Sequence, residues 1–119
     1  MIEVEVFYDQ TEEVYRHDLV AYRRERLEVA PSEVPIHLRP DWACEILSPS
    51  TASRDLVVKW RTLHLHGVPH YWVVDPERGS ITVYEHAPNE YVKAAAGRLG
   101  DRAVLPPFGE IDIDEILGR

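Results

Sequence analysis

Glu45 is a carboxylate set in an otherwise apolar run, Trp42-Ala43-Cys44-Glu45-Ile46-Leu47, and Lys59 follows in the next helical pattern. A carboxylate taken out of water in such surroundings needs a partner: a metal ion, a lysine or a network of hydrogen bonds. The segment from Arg39 to Asp75 is therefore where chemistry is to be sought first.

Asp41 is the nearest second carboxylate, four residues before Glu45. On a strand those two side chains share a face but stand about 13 Å apart, at roughly 3.3 Å per residue. They cannot share an ion whose oxygen ligands lie at about 2.0–2.6 Å. A second ligand has to come from a neighbouring strand.

His64, His66 and His70, in HLHGVPH, form a competing set with the residue types of a zinc or nickel site. Two residues apart on a helix, however, His64 and His66 diverge by roughly 160°. They suit the negative end of a helix dipole better than a shared ion.

Several elements must position these groups. Ile2, Val4 and Val6 alternate with Glu3, Glu5 and Phe7, the period of a half-buried strand, and Asp9-Gln10-Thr11 supplies a turn into a second strand over roughly Val14 to Arg24. The two form an antiparallel hairpin. Pro31, Pro35 and Pro40 mark an irregular connection, and Trp42 to Leu47 reads as a central strand covered on both faces. Ser48 to Thr51 offers capping hydroxyls for a helix from about Ala52 to His66, which Gly67 stops. Leu56, Trp60 and Leu63 make its apolar stripe, with Lys59 at the edge beside Asp55 and pointing toward the sheet margin. His70 to Val74 is a second central strand, and Ser80 to Glu85 is its antiparallel partner across Pro76-Glu77-Arg78-Gly79. Residues Ala87 to Pro107 are rich in turn formers and carry no chemical motif; IDIDEIL near the end is a strand or a short helix.

The 119 residues are 45% hydrophobic, which predicts one domain, residues 1–119, with a modest core. No apolar run is long enough to span a membrane and no signal-peptide pattern follows Met1, so the expected location is cytoplasmic. The lone cysteine, Cys44, sits in the apolar strand and reads as a small core residue. A net charge of −8 argues against nucleic-acid binding through a broad basic surface, since phosphate binding rests on Lys and Arg. It leaves room for a site in which a divalent cation supplies the positive charge, with Arg16, Arg23, Arg24 and Arg26 as a local basic cluster or as solubilising charges on an exposed strand.

The order Pro40-Asp41, Glu45-Ile46-Leu47-Ser48-Pro49-Ser50, Asp55, Lys59, Gly67-Val68-Pro69 and Tyr71-Trp72-Val73-Val74-Asp75-Pro76 resembles a bacterial family of restriction-endonuclease-like nucleases. That family is a branch of the PD-(D/E)XK superfamily abundant in cyanobacteria. The resemblance implies an α/β fold, a mixed β-sheet with one main helix packed on it. It also implies a metal-dependent endonuclease hydrolysing DNA phosphodiester bonds. Asp18, in a segment similar to the family's preceding hairpin, would hold Mg²⁺ or Mn²⁺ together with Glu45 and the backbone carbonyl of Ile46. Lys59 would serve as the superfamily's lysine, moved to the helix because Leu47 fills its usual place, and Asp55 would assist it. His17 stands where the family has proline before the aspartate, and His70 where it has glutamate.

Other readings of the same residues stay open. Asp55 and Lys59 have the spacing of a surface salt bridge worth about 0.2–0.5 kcal/mol, and Asp18 has the setting of a strand-edge charge. The family generally begins with a helical segment ahead of the hairpin, whereas this sequence starts on the strand. A catalytically inactive dimerisation or binding module is thus the alternative expectation. A homodimer is expected in either case, because one long helix covers only one face of strands that are apolar on both.

Overall fold

The computed structural model describes residues 4–27, 35–48 and 53–117, with side chains in the last stretch from Leu56 onward. The first two strands, β1 (Val4–Tyr8) and β2 (Glu13–His17), pair antiparallel across a turn over 9–12 in which Glu12 adopts a positive φ of 53°. Their register sets Val4 opposite His17, Val6 opposite Tyr15 and Tyr8 opposite Glu13. Side chains alternate on a pleat, so Val4, Val6, Tyr8, Tyr15 and His17 share one face. Val6, Tyr8 and His17 are buried.

The strand expected over Val14 to Arg24 is cut at Asp18. Its first half stays with β1, while β3 (Leu19–Ala21) joins a different sheet, antiparallel to β4 (Trp42–Ile46). The five strands of that sheet run in the order β3-β4-β5-β6-β7, with β5 (His70–Asp75) parallel to β4 and the remaining pairs antiparallel. It is a mixed α/β sheet, and its parallel pair is joined through the helix α1 (Ser53–Leu65). That helix ends as Gly67 predicts: φ is +73°, Val68 N–H reaches the Leu63 carbonyl, and Gly67 N–H reaches that of His64. The three-residue exit satisfies carbonyls the helix would otherwise leave open.

Pleat alternation divides β4 between two cores. Ala43 faces α1 and the first hairpin, in a cluster with Val6, Tyr8, Leu63, Val68, Tyr71 and Tyr91. Trp42 and Cys44 face the other way, toward Trp72, Val74, Ile81, Val83, Leu105 and Ile113. Glu45 is buried as well and stands on the Ala43 side by the same alternation. Cys44 is the small core residue its surroundings suggest; burial, reinforced by Glu45 and Asp18, pushes its thiol up to about 12.

Two expectations need correction. Residues 87–107, read as turn-rich connection, contain β7 (Tyr91–Arg98), which pairs with β6 (Ser80–His86), and β8 (Arg102–Leu105). Their alanines and glycine hide the strand because they supply no apolar alternation. Gly97 is small for a reason: a Cβ there would stand 2.7 Å from the Ile113 Cδ1. The terminal segment is both of the elements proposed for it, β9 (Gly109–Asp112), paired with β8, and the short helix α2 (Ile113–Leu117). With the Trp72 indole N–H donating to the Pro106 carbonyl, these elements cover the sheet face away from α1. The second face expected to need a partner copy is thus covered from within the chain.

Candidate active site

Glu45, the second-to-last residue of β4, retains 6% of its surface exposure and makes two kinds of contact. His17 Nδ1 lies 2.7 Å from Oε1, and Lys59 Nζ lies 3.4 Å from both Oε1 and Oε2. The lysine reaches this point because it sits at the edge of the α1 stripe whose Trp60 and Leu63 pack on the sheet, so its stem lies along buried surface and its head crosses to the carboxylate. Nζ also donates to the Arg16 carbonyl at 2.8 Å, tying α1 to β2. Two partners for a buried carboxylate meet the requirement set by its apolar strand: the ammonium neutralises it and the imidazole N–H satisfies one oxygen.

Asp18 occupies the break between β2 and β3. Its Oδ2 accepts the backbone N–H of Ile46 at 2.7 Å. The aspartate is thereby bound to the residue that follows Glu45, at the same end of the same strand. Of the residues singled out from sequence, Glu45 and Lys59 meet at the junction of the hairpin, β4 and α1, and Asp18 is bonded to the backbone of the next residue, Ile46. Asp55 lies in the first turn of α1, and its side chain is outside the described residues. The Asp55–Lys59 pairing is outside them too.

Asp41 is directed elsewhere, as strand spacing requires. Its carboxylate accepts the Arg23 N–H at 2.7 Å and pairs with Arg26 and Arg39. Burial works against that charge, but the Arg23 amide and the Arg26 and Arg39 guanidinium groups outweigh it and hold the carboxyl below its usual range. The arginines read as a basic cluster are thus partly spent on structure: Arg26 on Asp41, and Arg16, by its side chain, on Glu5. His64 stacks on His86 at 4.2 Å and meets the Ala87 carbonyl, while His66 meets the Thr62 carbonyl and the Gln10 N–H. His70 is 3.7 Å from Glu85. Among the described residues, no group of three or more His, Cys, Asp or Glu side chains is arranged to hold a metal.

His17 is the member of this site that sequence reading missed. It was noted only for standing where a proline is usual. A signal was available: two residues after Tyr15, it falls on the inward face of β2, where a polar ring must find partners. The second partner is Tyr8, whose hydroxyl lies 2.8 Å from Nε2.

The family described as "Uma2: Putative restriction endonuclease" matches residues 3–114. The chain belongs to this family. Among solved structures, a protein from Anabaena variabilis ATCC 29413 described as a "putative nuclease belonging to DUF820" is similar at a TM-score of 0.72 and 18% sequence identity. The similarity covers 99% of this chain and 66% of that one. At that identity the likeness speaks for the fold, a restriction-endonuclease-like mixed sheet. No curated protein matches the chain.

Proposed function

We propose that this chain is a metal-dependent endonuclease that hydrolyses DNA phosphodiester bonds at the junction of β2, β4 and α1. The observation that carries the reading is the Lys59 ammonium, 3.4 Å from both oxygens of a buried Glu45 carboxylate whose strand neighbour, Ile46, is held by Asp18. A carboxylate pair with a lysine at one strand end is the residue set the chemistry needs.

The donors fit a hard divalent ion. Asp18, Glu45 and the Ile46 carbonyl offer oxygen alone, the ligand type that Mg²⁺ and Mn²⁺ prefer, and Mg²⁺ commonly takes one or two carboxylates and keeps several waters. When bound, the ion supplies polarisation of a phosphate oxygen and a more acidic water. Glu45 and Asp18 hold the ion at the strand end. Lys59 presents a fixed positive charge where negative charge develops on the phosphate, or orients the attacking water. Asp55 is proposed to assist Lys59 from the first helical turn.

A net charge of −8 fits a substrate held mainly at the reacting phosphate. We also read the chain as cytoplasmic; no helix among the described residues is long and apolar enough to cross a membrane. The homodimer reading now rests on the outer face of α1, where Val58 and Leu65 are 39% and 54% exposed.

The test is incubation of supercoiled plasmid with the purified chain and Mg²⁺ or Mn²⁺. Nicking or linearisation that stops with chelator and in both Glu45→Gln and Lys59→Met supports the reading. An intact plasmid with folded protein and either metal rejects it in favour of an inactive binding module, and cleavage that survives Glu45→Gln places the activity elsewhere.

A further inference from the structure

Behind the Glu45 carboxylate lies a hydrogen-bonded line of three buried groups, Tyr8, His17 and Glu45, drawn from β1, β2 and β4. Tyr8 Oη is 2.8 Å from His17 Nε2, and His17 Nδ1 is 2.7 Å from Glu45 Oε1. His17 has no exposed surface and Tyr8 retains 1%. No water can replace a missing partner at such a depth without a new cavity, so each proton in the line has one place to go.

The direction of the line follows from its ends. A carboxylate accepts, so Nδ1 carries the hydrogen shared with Glu45; in that tautomer Nε2 is an acceptor, and the Tyr8 hydroxyl is the donor it needs. Burial raises the Tyr8 phenol far above its ordinary range, with nearby tyrosines and Glu45 adding to the effect, so the hydroxyl keeps its hydrogen. Tyr8 also meets the His17 ring edge-on, at 5.9 Å between centroids and 89° between planes, which fixes the plane of the imidazole.

We propose that His17, locked by Tyr8 as the Nδ1–H tautomer, is a positioning residue that occupies Oε1 of Glu45 and leaves Oε2 as the oxygen that binds the divalent ion. The proposal rests on the metal-site reading given above and names the groups that hold the carboxylate in its productive orientation. Without the imidazole N–H, the partner left to Glu45 among the described residues is Lys59, which sits 3.4 Å from both oxygens and does not distinguish them. Carboxylate ligands are ordinarily fixed by such outer partners, and losing one typically weakens metal affinity about 10–100-fold.

Two measurements decide this. The first needs no metal: nitrogen-15 NMR of the unsubstituted chain reads the tautomer of His17, expected to be Nδ1–H, and an Nε2–H ring overturns the proposal. The second is Mn²⁺ affinity by calorimetry. His17→Leu is expected to bind roughly 10–100-fold more weakly. His17→Asn, whose side-chain amide can place an N–H near the Nδ1 position, should recover most of the affinity, a rescue that mere filling of the core would not give. Tyr8→Phe keeps the shape of the site and should weaken binding less than His17→Leu does. Unchanged affinity in His17→Leu, or in Tyr8→Phe should His17→Leu not fold, overturns the positioning role alone. Failure of the unsubstituted chain to bind Mn²⁺ overturns the metal-site reading and this proposal with it, whichever tautomer is found.

Discussion

Asp18 accepts the backbone N–H of Ile46 at 2.7 Å, so the aspartate at the end of the first hairpin is bound to the residue beside Glu45 on a central strand. This one hydrogen bond joins two sheets, and it ties a proposed metal ligand to the peptide whose carbonyl is the proposed third ligand. Structure and chemistry at Asp18 can be separated by substitution. Asp18→Asn keeps an acceptor oxygen and should lose little stability, whereas Asp18→Ala leaves a partly buried N–H without its charged partner and should cost about 1–3 kcal/mol. Urea unfolding measures the difference. Equal stability of the two variants would show that the bond contributes nothing to the fold.

Glu45 is expected to be more sensitive. Glu45→Ala strands His17 and Lys59 around an empty volume, and loss of one partner from a buried ion pair costs about 3–5 kcal/mol, here toward the lower end because the lysine side chain keeps 20% exposure. Glu45→Gln retains an acceptor for His17 and should unfold at a higher urea concentration than Glu45→Ala. The Lys59 ammonium is a bridge between α1, β2 and β4, so its removal reaches beyond a surface pair. Lys59→Met, which keeps the stem, is therefore the better probe of its chemical role.

Most of this site was legible because its parts announce themselves through cost. A glutamate amid Trp42, Ala43, Cys44 and Ile46 has to be compensated, and the helical period put Lys59 on the side from which compensation comes. The central strands, α1 and the antiparallel partner after β5 were readable for the same reason, since apolar pattern and turn residues agree there. The break at Asp18 was not readable, because nothing in Val14 to Arg24 signals that one half pairs with β1 and the other with β4; only the acceptor role of the aspartate in three dimensions does so. Strand β7 was concealed by its alanines and by Gly97, which is required by Ile113 packed above it. His17 was overlooked because a buried histidine is defined by its partners, and these come from two other strands, Tyr8 on β1 and Glu45 on β4.

Asp41 supplies a pH prediction. Its carboxyl titrates at a lower pH in the folded chain than in the unfolded one, so the stabilisation it gives is complete above the ordinary carboxylate range and is lost as the pH falls through its folded value. Asp41→Asn should therefore lower stability by about 1–3 kcal/mol near neutral pH. The deficit should shrink progressively on acidification. A deficit that is the same at pH 7 and at pH 3 would contradict the assignment of the stabilisation to the ionised carboxylate and its three arginine partners.

Self-association is tested on α1. If Val58 and Leu65 form the contact, sedimentation equilibrium at micromolar concentration should show a dimer, and Leu65→Glu should shift it to monomer without unfolding the chain. A monomer at that concentration for the unsubstituted chain rejects the dimer.

The central claim is that Asp18 and Glu45 hold one divalent ion beside Lys59. Calorimetric titration of the unsubstituted chain and of Asp18→Asn with Mn²⁺ tests it most directly. The account predicts one ion bound per chain and no saturable binding in the variant, which keeps the fold but gives up a charged ligand. Equal binding by both proteins, or none by the unsubstituted chain, would contradict it.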